Sequence, residues 1–169
     1  IENHEGFYGD GYDVQIAKLV AEAMGKEPVF VKVSFDGLMQ ALNNGQIDIV
    51  VSGMLDSPEH RQAAEFSDTY AVTKTEYTVL VNKDSSYAGA TSLEELRGAS
   101  LLGQRGTRLD TVIDQIPGVK HISPVDTIPA MLDRLLKGTV DGIVINRETV
   151  DVYTSQYEEL TGLTFEEGK

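Results

Sequence analysis

The sequence predicts an α/β fold in two lobes, with mostly parallel sheets flanked by helices. Segments with helical spacing of apolar residues alternate with short apolar runs that are typical of buried strands. One pattern also occurs twice, at 38–51 and 131–144: a helix, a Gly, one spacer, an Ile or Val followed by Asp, and an apolar run. The two aspartates are 93 residues apart, which is far longer than a solenoid period. We interpret the repeat as two related lobes.

The first half of the chain predicts three helices and two strands. Apolar spacing favours a helix over 13–24, capped by Asp13 and ended by Gly25. A strand is predicted at 29–34, a helix at 35–43 and a short buried strand at 47–51. The tripeptide Ser57-Pro58-Glu59 is typical of a helix start, and we expect that helix to reach Ala64.

The second half continues the alternation. A strand is predicted at 77–81, and Ser92 with Glu95 forms a capping-box pattern for a short helix that ends near residue 98. A strand at 101–102, a turn at 104–107 and a helix at 109–116 follow. The second copy of the repeat predicts a helix and a strand up to residue 144.

Composition excludes several classes of function. The chain has 27 acidic and 14 basic residues, a formal net charge of −13, which disfavours nucleic acid and anionic lipid as partners. It has no Cys, and its three His are scattered, so we expect neither a metal nor a cofactor. No basic and apolar leader precedes Ile1 and no apolar run is long enough to span a membrane. We therefore expect a folded domain. The polar start at 1–4, which leads directly into a Gly-rich turn, and the end at 163–169, just after a short apolar alternation, predict that it is incomplete at both termini.

The predicted site lies at the carboxyl ends of the strands, where open α/β sheets bind their ligands. Two lobes that face each other would turn these ends into a shared cleft. Asp48 and Asp141 start their strands, at the opposite end, and are expected to be structural. The residues placed in the cleft are Ser52, Gly53, Met54, Leu55, Gly106, Thr107, Asn146 and Arg147.

The chemistry of these segments suits a carboxylate ligand. Backbone N–H groups at turns and at the start of a helix attract anions. Either Arg61 or His60 could add a charge-assisted hydrogen bond, and Arg has the better geometry. Tyr12, with Phe7 and Tyr8, could stack on a ligand side chain. Each feature alone also fits an ordinary turn, surface charge or core edge.

The ordered motifs resemble one family. They are Gly11-Tyr12-Asp13-Val14, Phe35-Asp36-Gly37-Leu38, Gly45-Gln46-Ile47-Asp48, Ser52-Gly53-Met54 with Ser57-Pro58-Glu59, Phe66-Ser67-Asp68 followed by Tyr70, and Gly106-Thr107. From about Gly11 to Phe165 the chain is similar to bacterial extracellular solute-binding proteins of family 3, the polar amino-acid class of ABC transporters with a type 2 periplasmic-binding-protein fold. The resemblance implies a monomeric receptor that closes around an amino acid or derivative and delivers it to an ABC permease. It also implies an extracytoplasmic location, in the periplasm or lipid-anchored outside the cell membrane.

The resemblance also implies roles for single residues. Gly53 and Leu55 would meet the ligand's α-carboxylate from one lobe, and Thr107 and Arg108 from the other. The family's carboxylate-binding Arg falls on His60, with Arg61 next to it, and its ammonium-binding Asp falls on Asn146, with Glu148 nearby; both choices stay open. The lobes would span 1–80 and 81–165, with 166–169 beginning the return through the hinge.

Two other functions remain open at this point. A dehydratase-type enzyme on the same fold would need an acid or base, for which His60 and Glu148 are the candidates. A sensory ligand-binding domain would bind without turnover. The sequence shows no Gly-x-Ser-x-Gly elbow and no Cys nucleophile, which favours binding without catalysis.

Overall fold

A computed structural model describes residues 11–71 and 76–165. The chain divides into two compact units, 1–70 and 71–169, and helices and strands combine into the α/β class that the sequence predicts. The division falls before the predicted lobe boundary at residue 80, so the strand that begins at Tyr77 lies in the second unit. Residues 166–169, predicted to begin the hinge return, lie outside the described residues, as do Phe7 and Tyr8.

The first unit opens with helix α1, Tyr12–Ala23. Gly25 ends it as predicted: at φ 64° its N–H donates to Glu22, and the next N–H, of Lys26, donates to Ala21. The prediction that Asp13 caps the helix is wrong, because Gly11 occupies the N-cap and no side chain caps it. Asp13 lies in the first turn, where the helix dipole still favours its charge.

The rest of the first unit contains shorter helices. A single turn at Phe35–Gly37 leads into helix α2, Leu38–Asn43, in agreement with the predicted helix. The helix predicted from Ser57 to Ala64 is only one turn, His60–Gln62. The Ser57 Oγ accepts a hydrogen bond from the His60 N–H at 3.2 Å, so the predicted start signal is used although the helix stays short.

Both strands predicted for the first unit are wrong: within residues 11–71 the structure has no strand. Segments 29–34 and 47–51 run without helix or ladder pairing, and Val29 is 86% exposed and Ile49 51% exposed. An apolar pattern favours a strand, but a strand forms only where a neighbour accepts its N–H and C=O groups. The strand-end argument therefore does not apply to the loop at 52–55.

The second unit is built on one five-stranded sheet. Its strands are β1 Tyr77–Asn82, β2 Ser100–Gln104, β3 Lys120–Val125, β4 Gly142–Asn146 and β5 Leu160–Gly162. They lie in the order β3-β2-β4-β1-β5. β2 is parallel to β3 and β4, whereas β1 is antiparallel to β4 and β5. Four strands therefore point the same way, as the prediction of a mostly parallel sheet requires.

Both faces of this sheet are covered. Helix α3, Arg108–Thr111, continues into a single turn at Val112–Gln115, helix α4 spans Ile128–Leu136, and helix α5 spans Val150–Gln156. Val79 and Val81 face one core and Leu80 faces the other, so the strand reads as an unbroken apolar run. The largest buried side chains include Leu80, Leu96, Leu101, Leu102, Ile113, Met131, Leu135, Ile143, Ile145 and Leu160.

The repeat found in the sequence is also a structural repeat at the helix ends. Gly45 has φ 68° and Gly138 has φ 66°. Each Gly N–H donates to the carbonyl three residues earlier, and the next N–H donates to the carbonyl five residues earlier. The two copies diverge afterwards, since only the second continues into a strand. There Asp141 accepts hydrogen bonds from the Ser100 N–H and hydroxyl, at 2.7 and 2.6 Å, which is the structural role predicted for it.

The predicted capping box at Ser92 is only partly formed. The Ser92 side chain makes no capping hydrogen bond to the single-turn helix Leu93–Leu96. Glu95 instead accepts from the Thr91 N–H at 2.7 Å, one residue earlier than the pattern predicts. Of the two hydrogen bonds of a capping box, only one that involves the Glu95 side chain is therefore formed.

One titratable contact joins β3 to the α3 segment. His121 Nε2 lies 2.7 Å from Asp110 Oδ1, and Nδ1 lies 2.8 Å from Asp114 Oδ1. Burial lowers the pKa of His121, but hydrogen bonds to Asp110 and Asp114 outweigh it, and the net pKa is raised above its ordinary value. The imidazolium donates to both carboxylates.

We expect this contact to make stability depend on pH. The pKa is higher in the folded state than the value of about 6.5 in an unfolded chain, so the stabilisation is complete below about pH 6.5 and is lost as pH rises through the folded-state pKa. Its size stays below about 1 kcal/mol because the pairs are partly exposed. Denaturant unfolding should show a larger gap between wild type and His121→Gln near pH 5.5 than near pH 8.5. An equal gap at both values contradicts the assignment.

Candidate ligand-binding site

In the first unit the loop at 52–55 is held by Tyr70. Gly53 takes φ 56°, a left-handed conformation that favours glycine. Its N–H donates to the Tyr70 hydroxyl at 3.2 Å, and that hydroxyl donates to Asp13 Oδ1 at 3.0 Å. Ser52 and Met54 on either side are half-buried. The amide predicted to meet a ligand therefore has a partner inside the unit.

Tyr12 belongs to the same cluster. Its ring stacks on that of Tyr70, with centroids 6.2 Å apart and planes at 28°. Its hydroxyl donates to the Tyr70 carbonyl at 3.1 Å. The residue is still 61% exposed, so one side of the ring is available to a further partner. Ligand stacking by Tyr12 stays a prediction.

The protonation of Tyr70 fixes the direction of these hydrogen bonds. Burial raises the pKa of Tyr70, the Gly53 N–H lowers it, and the nearby Asp13 raises it, with a net increase above the ordinary value. The phenol is therefore neutral at neutral pH. It accepts from Gly53 and donates to Asp13 at the same time.

The two candidate cations at the single-turn helix have different partners. His60 Nδ1 lies 2.8 Å from the Leu55 carbonyl oxygen, so Nδ1 carries the proton that is donated. Arg61 forms a two-pronged ion pair with Asp56, from Nε to Oδ1 and from Nη2 to Oδ2. Its side chain is 56% exposed, and Asp56 holds the pKa of Arg61 above its usual value. Asp56 thus occupies the fork that a ligand carboxylate would use.

In the second unit the predicted residues share one edge of the sheet. The parallel strands β2 and β4 are neighbours and end at Gln104 and Asn146, so the turn after β2 lies beside the end of β4. Gly106 has φ 74°. The Thr107 Oγ1 caps α3 by accepting from the Leu109 N–H at 3.1 Å, and it donates to the Gln104 carbonyl at 2.8 Å.

The polar groups at this edge leave hydrogen-bonding capacity for a ligand. The Asn146 side chain does not cap the single-turn helix Arg147–Thr149 that follows it. Arg108 and Glu148 are exposed, and Asn146 is half-buried. Asn146 and Thr107 are therefore brought to one edge, as predicted, and their contact with a ligand stays a prediction.

A small cavity opens at the same edge. Its volume is about 300 Å³, and its lining includes Glu76, Tyr77, Arg147 and Phe165. The Arg147 N–H donates to the Glu76 carbonyl at 2.8 Å, and Arg147 Nη1 donates to the Leu163 carbonyl at 3.2 Å. These bonds tie the turn after β4 to the segments that precede β1 and follow β5.

Two negative findings apply to the described ranges 11–71 and 76–165. No three His, Asp or Glu side chains there are grouped in a way that could hold a metal ion. No helix there has the length and apolar character needed to cross a membrane.

Sequence reasoning misses two residues of this site. Tyr70 follows the Phe66-Ser67-Asp68 motif, and an aromatic residue in that place is the signal that could have found it. No sequence signal points to Asp56. Its position five residues before Arg61 has no helical spacing, and the ion pair depends on the loop that brings the two together.

Comparison with known proteins identifies the family. The sequence model of one protein family, the bacterial extracellular solute-binding proteins, family 3, matches residues 3–137, which is most of the chain. The chain belongs to this family. The resemblance read from the motifs is therefore confirmed, and the mixed α/β architecture is the one expected of it.

Relatives within the solute-binding family are named for amino acids. A probable histidine-binding protein of Campylobacter jejuni is 31% identical over 150 residues, covering 89% of this chain and 57% of its own length. The arginine-binding extracellular protein ArtP of Bacillus subtilis is 28% identical, covering 99% of this chain and 65% of its own length. The chain therefore spans about three fifths of these relatives.

Solved structures agree with the family assignment. Holo ArgBP from T. maritima matches with a TM-score of 0.84 at 28% identity, over 96% of this chain and 70% of that one. An ancestral amino-acid-binding protein described as a precursor of cyclohexadienyl dehydratase matches with a TM-score of 0.83 at 27% identity, over 98% and 71% of the two chains. These proteins share the fold of a solute-binding protein, and the second links it to an enzyme lineage.

Proposed function

We propose that this protein binds an amino acid or amino-acid derivative for an ABC uptake system and does not transform it. Family membership and relatives named for histidine and arginine support the ligand class. The observation that carries the proposal is the pair of polar clusters, one in each compact unit. The clusters are centred on the loop at 52–55 and on Thr107 with Asn146.

In our proposal both clusters contact the ligand's α-carboxylate, and the second cluster also contacts its α-amino group. The loop at 52–55, with Arg61 released from Asp56, meets the carboxylate from the first unit. The N-terminal turn of α3 meets it from the second, and Asn146 accepts from the α-amino group. A ligand that touches both units favours the closed state, since only that state makes both sets of contacts.

The energy required is within reach of these groups. Micromolar affinity corresponds to about 8 kcal/mol, and several charge-assisted hydrogen bonds in a site shielded from water supply free energy of this order. The Asn146 side chain can accept a hydrogen bond from the ammonium but carries no countercharge. Glu148, two residues later, carries a carboxylate but is exposed, whereas Asn146 is half-buried at the strand end. We assign the ammonium contact to Asn146.

We infer a monomer that works outside the cytoplasm, in the periplasm or lipid-anchored at the outer face of the membrane, and delivers its ligand to an ABC permease. The family's description as extracellular supports the location. A net charge of −13 disfavours attraction to anionic phospholipid head groups.

We expect calorimetry on the full-length protein, against the twenty amino acids and their methylated derivatives, to find at least one ligand. Arg61→Ala and Asn146→Ala should each weaken its binding about tenfold or more, because each removes a direct contact. Arg134→Ala and Asn43→Ala, exposed residues on α4 and α2, are matched controls and should bind normally.

Three outcomes would contradict the proposal. No binding to any member of the panel removes the function, and unchanged affinity in both variants removes the assigned residues. Formation of a product from the bound ligand would replace the binding protein with the dehydratase-type enzyme, in which His60 and Glu148 are the candidate acid and base.

A further inference from the structure

One contact set in the first unit has no role in the proposed ligand contacts. Tyr70 lies 57 residues from Asp13 and 17 residues from Gly53, and its hydroxyl binds both. It therefore joins the first turn of α1, the loop at 52–55 and the segment that ends the unit. A single oxygen atom links three distant parts of the chain.

The loop has no regular structure to hold it. Residues 46–56 form neither helix nor strand, and the strand predicted before the loop is absent. Gly53 adopts φ 56°, which fixes the direction of the chain on either side. Within the described residues, the Tyr70 hydroxyl is the only hydrogen-bond acceptor of the Gly53 N–H.

The surrounding contacts make Tyr70 a rigid support. Its ring stacks on Tyr12, and its backbone carbonyl accepts from the Tyr12 hydroxyl, so Tyr12 contacts both the ring and the main chain of Tyr70. Aromatic pairs of this kind contribute beyond the area they bury. The neutral phenol donates to Asp13 and accepts from Gly53, which leaves no freedom in the direction of either bond.

We propose that Tyr70, backed by Asp13, is a positioning residue that sets the conformation of the ligand-binding loop through the Gly53 amide. The inference rests on the proposed function and deepens it. Tyr70 acts on the ligand through the loop and does not touch it. Because the Gly53 N–H donates to Tyr70, we expect other residues of this loop to contact the ligand, in the first place Ser52.

The experiment compares the full-length protein with Tyr70→Phe, which removes only the hydroxyl and keeps the stacked ring. Calorimetry uses the tightest amino acid found in the panel above. We expect about tenfold weaker binding in Tyr70→Phe and faster amide hydrogen exchange at Gly53 in the ligand-free protein, measured by NMR. Tyr153→Phe is the matched control, a half-buried tyrosine on α5, and should bind normally.

A second set of variants separates positioning from general destabilisation. Asp13→Asn keeps an acceptor for the Tyr70 hydroxyl, so it should retain more affinity than Asp13→Ala, although both lose the charge. Because the two residues act as one unit, Asp13→Ala combined with Tyr70→Phe should cost no more than the worse single variant.

The outcomes distinguish this inference from the proposed function. Failure of the wild type to bind any amino acid removes the proposed function, whatever Gly53 exchange shows. Normal binding by wild type together with normal binding by Tyr70→Phe, or unchanged Gly53 exchange in that variant, overturns the role of Tyr70. Additive losses in the double variant also overturn it.

Discussion

Replacing Gly103 by Ala should destabilise the second unit more than the same change at any other described glycine of that unit. A Cβ at Gly103 would lie 2.3 Å from the Asp110 Cα, 2.5 Å from the Leu109 carbonyl oxygen and 2.6 Å from the Asp110 N. These atoms are backbone, so no side-chain rotation relieves the clash. Helix α3 must move away from β2, and we expect a loss of about 3 kcal/mol in the free energy of unfolding.

The measurement is denaturant unfolding of the second unit in wild type and Gly103→Ala. Gly89→Ala is the matched control, because a Cβ there has nothing within 4 Å and no left-handed φ. Since α3 begins at Arg108 and is capped by Thr107, ligand affinity should fall with stability. A change below about 0.5 kcal/mol, the range of ordinary surface substitutions, would show that α3 does not rest on β2 in this way.

Replacing Thr107 by Val should weaken ligand binding strongly while it lowers the free energy of unfolding only slightly. The substitution keeps the shape but removes the hydroxyl that caps α3 and donates to Gln104. We expect a stability loss of about 1 kcal/mol from the lost cap. We also expect at least tenfold weaker ligand binding, because the turn no longer presents its N–H groups in a fixed direction.

The comparison needs a second cap of the same kind. Thr127 caps α4 by accepting from the Ala130 N–H at 3.3 Å, so Thr127→Val should lose similar stability and bind normally. Thr107→Ser keeps the hydroxyl and should restore most of the affinity. Affinity is measured by calorimetry. An equal loss of affinity in Thr107→Val and Thr127→Val would show that binding depends on the stability of the unit and not on the conformation of the turn before α3.

The second unit could be predicted largely from its sequence because its local signals agree with its packing. The run at 77–81, the Gly138 helix end and the apolar run after Asp141 each form the predicted element. β3, α5 and β5 escape prediction. The residues of β3 are exposed or half-buried and lack an apolar alternation. In the sequence Gly103 lies between the strand predicted at 101–102 and the turn predicted at 104–107, and only the position of α3 shows why a side chain does not fit there.

The first unit and its site are harder to predict. Segments 29–34 and 47–51 carry strand-like residues, but the residue pattern of a strand does not specify which strand it pairs with. The loop at 52–55 can be recognised as a polar turn, yet its Gly53 N–H donates to the Tyr70 hydroxyl, which donates in turn to Asp13. Both partners are distant from the loop in sequence. Arg61 can be chosen by its residue type, whereas its pairing with Asp56 depends on the turn between them.

The direction of β1 has a mechanical consequence. β1 begins opposite the end of β4 and beside the end of β5, with Tyr77 paired to Asn146 and Leu80 paired to Gly162. The chain therefore enters and leaves the sheet at adjacent strands of one edge. A force that pulls these two points apart would load the antiparallel β1–β5 ladder one residue pair at a time, beginning at the pair of Leu80 with Gly162.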